Sequence, residues 1–112
     1  MKTIKVNHWA DVLIDFTGIV EWENEVRIWL KNGSRHREDG PAYIGLSGYK
    51  QWWLNGIFIW ASNLDKLDLK KKIVLSKEKH PAYPTIQILK YIDEYRIQER
   101  IIIPGMEEWF IE

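Results

Sequence analysis

The stretch Trp29-Leu30-Lys31-Asn32-Gly33 returns 23 residues later as Trp52-Trp53-Leu54-Asn55-Gly56. Asn-Gly between alternating apolar residues is a strong hairpin signal, because both central positions of a type I′ turn need a positive φ angle. The recurrence of this signal at one spacing predicts two similar β-hairpins in succession.

The residues upstream of the two motifs repeat as well. Residues 17–22 line up with residues 39–44 at an offset of 22, and the extra residue falls in a connecting loop, where a sheet tolerates an insertion best. Each unit is therefore predicted to contain a strand, a tight turn, a second strand and then Asn-Gly. We expect an antiparallel meander with strands near residues 18–22, 25–31, 41–44, 49–54 and 57–60.

These residues also resemble a known repeat. Asn32-Gly33-Ser34-Arg35-His36-Arg37-Glu38-Asp39-Gly40-Pro41-Ala42, flanked by the two tryptophan motifs, is similar to the MORN-like pattern W-x-x-N-G-x-x-H-R-x-D-G-P-A of phage, large-virus and bacterial proteins. The resemblance covers about residues 17–60. It ends where Ile57-Phe58-Ile59-Trp60 replaces the expected His-Arg-x-Asp-Gly-Pro-Ala, so we expect two units closed by a capping strand. The resemblance implies a β-hairpin fold and a binding role, and it implies no catalytic residues.

The C-terminal half carries weaker signals. Ser62 is a plausible N-cap, and an apolar face that includes Leu64 and Leu67 predicts a helix over residues 62–76. Residues 85–103 fit either two strands joined near Asp93-Glu94 or a helix begun by Pro84, and the β-branched residues favour strands. The tail that ends the chain is acidic and aromatic.

These elements together predict the fold class. We expect an α+β, β-dominated protein that forms a single domain over residues 1–112. Its parts are the two-unit hairpin repeat over 17–60, one helix over 62–76, and a C-terminal hairpin with its acidic aromatic tail over 85–112.

Composition limits the classes of function. The 112 residues carry 16 basic and 16 acidic side chains, so no global field draws the protein to nucleic acid or membrane. Cysteine is absent, which suits a reducing compartment. We expect a soluble protein of the cytoplasm, and of the host cytoplasm if the chain is phage-encoded.

The seven tryptophans are the unusual feature of this composition. Alternation along the strands places Val26, Ile28 and Leu30 on one side of the sheet and Arg27, Trp29 and Lys31 on the other, with Lys50 and Trp52 matching the second side. Either Trp29 and Trp52 form an exposed platform beside cations, or they are covered and form a second core. The candidate residues for binding a protein partner are Arg27, Trp29, Arg35, Arg37, Lys50, Trp52 and Trp109.

Other chemistry has less support in the sequence. His36 and Asp39 could form an acid–base pair, but Asp39-Gly40 is more typical of a turn. The three histidines are scattered and no thiol assists them, so we predict no metal site and no cofactor. Residues 66–80 carry six lysines against two carboxylates, a net charge of +4. Lys70, Lys71, Lys72 and Lys77 could therefore follow a phosphate backbone.

Three functions from different classes remain. The favoured one is a non-catalytic module that binds a host protein, as a phage or viral accessory protein that inhibits it, for example a protein of immune defence. The alternative is nucleic-acid or nucleotide binding through the Lys66–Lys79 stretch and stacking tryptophans. An enzyme is the third. Uncovered sheet edges also predict homodimerisation.

Overall fold

The computed structural model describes residues 1–106 and the backbone of residues 110 and 111. Strands dominate this part of the chain, and its helical segments are three 3-10 turns of three residues each. The strands are β1 (Thr3–Val6), β2 (Gly18–Trp22), β3 (Arg27–Lys31), β4 (Ser34–Arg35), β5 (Tyr43–Ile44), β6 (Lys50–Leu54), β7 (Ile57–Ala61), β8 (Leu67–Asp68), β9 (Ile73–Lys79), β10 (Gln87–Asp93), β11 (Arg96–Ile102) and β12 (Phe110–Ile111). The predictions of a β-dominated fold and of antiparallel hairpins are confirmed.

The prediction of a helix over residues 62–76 is wrong. This stretch holds the short strand β8, a 3-10 turn at Leu69–Lys71 and the start of β9. The Asp68 carboxylate accepts a hydrogen bond from the Lys70 backbone N–H, which stabilises a tight turn in place of a helix start. The β-branched pair Ile73-Val74 then enters a strand, where such side chains are favoured.

Where one domain is predicted, the chain divides into two compact units. The hairpin unit comprises Met1–Arg37 and Pro41–Asn63, and the C-terminal unit comprises Glu38–Gly40 and Leu64–Glu112. The hairpin unit is built on one sheet with the order β1-β2-β3-β5-β6-β7, in which β4 also pairs with β3. The strand β1 is parallel to β2, and the other neighbours are antiparallel.

Both predicted Asn-Gly turns are present. The φ angles are 49° and 80° at Asn32 and Gly33, and 49° and 77° at Asn55 and Gly56. Positive values at both central positions are the signature of a type I′ turn. The repeated dipeptide therefore forms the same backbone in both units.

Each turn also rests on the chain segment that precedes its hairpin. The Asn32 backbone N–H donates to Thr17 Oγ1 over 2.9 Å, and the Gly33 N–H donates to the Phe16 carbonyl over 2.9 Å. In the second unit, the Asn55 N–H donates to His36 Nδ1 over 2.9 Å, and the Gly56 N–H donates to a carbonyl in β4 over 2.8 Å. The histidine of the repeat pattern therefore links one unit to the turn of the next.

One face of this sheet forms a core at its β1–β3 end. The buried residues there are Val6, Phe16, Val20, Val26, Ile28 and Leu30. They confirm the side of β3 that alternation assigned to the core. The same face continues across β5, β6 and β7, where Tyr43, Gln51 and Trp53 are half-buried, Phe58 is exposed and Ala61 is buried.

The C-terminal unit contains a three-stranded antiparallel sheet in the order β11-β10-β9. The strand interpretation of residues 85–103 is confirmed. The turn follows Asp93, at Glu94-Tyr95, with a positive φ at Glu94. Leu89 and Tyr91 on the central strand are buried, as are Ile86, Ile103 and Met106. A second, two-stranded sheet pairs β12 with β8 in parallel.

Candidate functional site

The two repeated tryptophans, Trp29 and Trp52, are packing residues. Their exposed fractions are 8% and 2%, and the Trp52 ring lies against that of Trp60 at a centroid distance of 5.4 Å. Of the two alternatives, the structure supports the covered second core. This corrects the assignment of Trp29 and Trp52 to partner binding.

The cations expected beside these rings also lie elsewhere. Arg27 is exposed and its Nε is 3.2 Å from Glu21 Oε1. Lys50 is exposed on β6. The guanidinium over Trp29 belongs to Arg37, at 4.1 Å from the ring centroid, and its Nη1 donates to the Pro41 carbonyl over 3.1 Å. Arg37 therefore closes the loop over the buried ring, a structural role. Trp109 lies outside the described residues.

Arg35 is the candidate residue that the structure places in a distinctive surface site. Its guanidinium carbon is 5.3 Å from the Tyr43 ring centroid and 5.2 Å from that of Trp53. Its Nη1 donates to Gln51 Oε1 over 3.3 Å. Two aromatic contacts and a hydrogen bond fix the plane of this side chain before any partner arrives.

Gln51 organises the surroundings of Arg35. Its Oε1 also accepts from Trp53 Nε1 over 2.9 Å, and its Nε2 donates to the Tyr49 hydroxyl over 2.9 Å. Tyr49 in turn packs edge-on against Tyr43, with centroids 6.0 Å apart. Such a network holds half-exposed side chains in one arrangement at a low entropic cost to binding.

A shallow, open groove extends from Arg35 in one direction. It has a volume of about 360 Å³ and is lined by Trp9, Trp22, Asn24, Val26, Ile28, Arg35 and Tyr43. At its far end Trp9 is 51% exposed and packs edge-on against Trp22, with centroids 5.0 Å apart. The floor is apolar, because Val26 and Ile28 belong to the core of this face.

In the other direction the surface ends in a second aromatic pair. Trp53 and Phe58 are directly opposite each other on β6 and β7 and pack edge-on with centroids 5.4 Å apart. Phe58 is 42% exposed. We call the whole surface the Arg35 groove. Its residues are Trp9, Trp22, Ile28, Arg35, Tyr43, Trp53 and Phe58.

The charges around the Arg35 groove are unequal. No ion pair of Arg35 occurs within residues 1–106, and no carboxylate lines the cavity. A larger cavity of about 710 Å³, lined by Lys5 and Arg27 together with Glu21, Glu23 and Glu25, begins beyond Trp22 and lies on the opposite face of the sheet. The charge of the Arg35 groove is therefore the single positive charge of Arg35.

The lysines predicted to follow a phosphate backbone lie on a turn and a strand, and not on the expected helix. Lys70 and Lys71 lie in a 3-10 turn, and Lys77 lies in β9. The Lys72 Nζ is 2.6 Å from Asp93 Oδ1, and this hydrogen bond holds the pKa of Lys72 above its ordinary value. Lys70 and Lys77 border a shallow depression with apolar residues, about 300 Å³ in volume. Lys72 is thus engaged within its own sheet.

The remaining predictions on sites have simple outcomes. His36 is 7% exposed and its Nδ1 is occupied by the Asn55 N–H, so its role is that of a turn acceptor. Among the described residues no group of three or more His, Asp or Glu side chains is placed to hold a metal ion.

The edge strand β9 exposes Ile73, Val74 and Leu75, and homodimerisation through such an edge stays a prediction.

Sequence reasoning missed most of the Arg35 groove. Alternation assigns Tyr49, Gln51 and Trp53 to the core side of the sheet, and the structure places them on that side, but beyond the covered core. Arg35 itself was the available signal. It lies opposite Leu30 on the same face, and a cation in line with core positions indicates that the cover ends there.

Comparison with known proteins adds no assignment, since no family model, curated protein or solved structure matches the chain. None of the helical segments in the described residues is long and apolar enough to cross a membrane.

Proposed function

We propose that this chain is a non-catalytic protein-binding module and that the Arg35 groove is its contact surface. The observation that carries the proposal is the Arg35 guanidinium held between the Tyr43 and Trp53 rings on a half-exposed face. Arginine, tryptophan and tyrosine are the residues most enriched in the energetic centres of protein interfaces.

Rigidity supports the same proposal. The hydrogen bonds through Gln51 hold Arg35, Trp53 and Tyr49 together, so little side-chain entropy is lost when a partner binds. The exposed rings of Trp9 and Phe58 at the two ends supply apolar area that a partner can bury. A surface with these properties binds more readily than a flat polar one.

The resemblance to MORN-like repeats supports a more specific form of the proposal. On that ground the chain is a phage or viral accessory protein, and its partner is a host protein, for example one of immune defence, that it inhibits. The absence of cysteine suits action in the reducing cytoplasm of the host.

The test is affinity capture from host lysate with two variants on adjacent residues. Phe58 lies in the groove, whereas Ile57 is 66% exposed and points to the opposite face of the same strand. Capture with Phe58→Ala combined with Arg35→Ala should lose the specific partner, and capture with Ile57→Ala should retain it. If the double variant still captures the partner, and circular dichroism shows that its fold is intact, the Arg35 groove is not the contact surface.

The salt dependence of the captured material separates this function from nucleic-acid binding. Contacts to a phosphate backbone weaken steeply as salt rises, whereas an interface centred on aromatic burial changes little. Nucleic acid that is released between low and moderate salt, and lost when Lys70, Lys71 and Lys77 are changed to Gln, would favour the lysine surface.

A further inference from the structure

We infer that the occupant of the Arg35 groove is an extended segment of a partner protein with one acidic side chain at Arg35 and one apolar side chain against Trp9 and Trp22. This inference rests on the proposed function and names the partner chemistry of the same site. It follows from the charge, shape and span of the groove.

The Arg35 end requires a carboxylate. A guanidinium carries five N–H donors in a planar fork that matches a carboxylate. The Gln51 amide oxygen is the acceptor described for it, and it uses Nη1. The Tyr43 and Trp53 ring centroids lie 5.3 and 5.2 Å from the guanidinium carbon, and the Nη2 N–H groups remain for a ligand. A single fixed charge with no carboxylate lining its cavity is complementary to one Asp or Glu.

The opposite end requires an apolar side chain. Trp9 presents about half of its surface, and its edge-on contact with Trp22 forms a corner of two indole rings. The Ile28 side chain continues this apolar wall toward Tyr43. A leucine, a proline or an aromatic residue would bury area on both rings, as in other aromatic-lined peptide grooves.

The span between the two ends sets the spacing in the peptide. Trp22 lies on β2 and Tyr43 on β5, and one strand, β3, separates them. Two inter-strand distances amount to about 10 Å across the sheet, and Trp22 is level with Val26, two residues (about 7 Å) along the direction of β3 from Ile28, the partner of Tyr43. The resulting distance of about 12 Å is covered by about three to four residues of an extended chain. The acidic and apolar residues should therefore be about three to four positions apart, in a chain that runs obliquely across the strands.

Charge favours a peptide over nucleic acid in this groove. The groove is lined by one cation, Arg35, and by no carboxylate, so it lacks the run of positive charges that a continuous phosphate backbone needs. A peptide needs only one negative charge, at the Arg35 end.

The experiment is selection from a display library of random short linear peptides on the 112-residue chain. Selection runs in parallel on the wild type, on Arg35→Gln and on the control Ile57→Ala. The wild-type and control pools should be enriched in Asp or Glu about three to four positions from an apolar residue. The Arg35→Gln pool should lose the acidic preference and keep the apolar one.

A synthetic peptide from the wild-type pool provides the quantitative arm. Replacing its acidic residue with the neutral amide should weaken binding about tenfold to the wild type and hardly at all to Arg35→Gln. An empty pool, a pool without acidic enrichment, or enrichment that persists on Arg35→Gln would overturn the inference. These outcomes leave the proposed function standing if lysate capture still depends on Phe58 and Arg35, so the two failures are distinguishable.

Discussion

The hairpin that ends at Asn32-Gly33 and the one that ends at Asn55-Gly56 share a turn but not an environment. A Cβ atom on Gly33 would lie 2.0 Å from the Ile14 carbonyl oxygen, whereas on Gly56 its nearest neighbour would be Ser34 at 3.4 Å. The first turn is thus packed against the preceding segment with no room for a Cβ atom, whereas the second turn leaves room for one.

The strands leading into the two turns differ in the same way. Trp29 and Trp52 occupy equivalent positions and are both buried. At the next position Leu30 is 5% exposed, but Trp53 is half-buried and belongs to the Arg35 groove. The repeat therefore fixes the backbone and the inner tryptophan, while its second unit leaves one extra position for binding.

The largest difference in the free energy of unfolding is expected between the buried tryptophans and the half-buried Trp53. Trp29→Ala and Trp52→Ala should each lower the free energy of unfolding by about 3–5 kcal/mol, because each leaves a large cavity. Trp53→Ala should cost less than half as much and should abolish partner binding. Urea denaturation followed by far-UV circular dichroism measures all three, and equal losses would contradict the distinction between the two positions.

The next largest difference in stability is expected between alanine variants of the two turn glycines. Gly33→Ala should cost about 2–5 kcal/mol, the sum of left-handed strain and overpacking against the Ile14 backbone. Gly56→Ala should cost only the strain, about 1–2 kcal/mol. Urea denaturation midpoints of the two variants, measured under the same conditions, would check this difference. A Gly56 variant as damaged as the Gly33 variant would show that the second turn is covered as well.

The side-chain acceptors of the two turns should differ by a smaller amount. His36→Ala removes the partner of the Asn55 N–H at a 7% exposed side chain, which should cost about 1–3 kcal/mol. Thr17→Ala removes the partner of the Asn32 N–H at an exposed position, where water can replace it, and should cost about 1 kcal/mol or less. Amide hydrogen exchange in the wild type reports each bond directly: we expect slower exchange at Asn55 than at Asn32, and slower exchange at Asn32 would reverse the order.

Arg35→Ala should give one of the smallest effects on stability, and the two arginines together should show the clearest division of roles. Arg37→Ala uncovers Trp29 and should cost about 1–2 kcal/mol without a direct effect on the groove. Arg35→Ala should cost about 1 kcal/mol or less in thermal or urea unfolding, yet it should weaken partner binding. A variant of Arg37 that binds as poorly as Arg35→Ala, while stable, would place both arginines in the interface.

The hairpins could be predicted from the sequence because their causes are local. Asn-Gly imposes positive φ angles on two adjacent residues, and the strands on either side follow from alternation. The strands after Thr85 were predictable for a similar reason, since β-branched residues dominate them. Residues 62–76 were not, because Asp68 ends the first extended piece by a side-chain hydrogen bond that the apolar spacing does not show.

The binding surface was less predictable than the fold because its position depends on which parts of one sheet face are covered. Leu30 and Trp53 both lie on the face that alternation assigns to the core, yet only Leu30 is covered, and no local pattern shows this difference. The cations over the tryptophan rings come from the loop and strand after the first turn, as Arg37 over Trp29 and Arg35 over Trp53. Alternation along a strand suggests instead that the cations next to a tryptophan in sequence lie beside its ring, and only the folded structure shows which cation does.

Site-specific photocrosslinking tests the binding role of the Arg35 groove most directly. A photoreactive phenylalanine analogue would be placed at position 58, inside the groove, or at position 57, on the opposite face of the same strand, and irradiated in host lysate. We predict one specific crosslinked partner from position 58, reduced by Arg35→Ala, and none from position 57. The same partner from position 57, or none from position 58, would contradict the assignment of this surface.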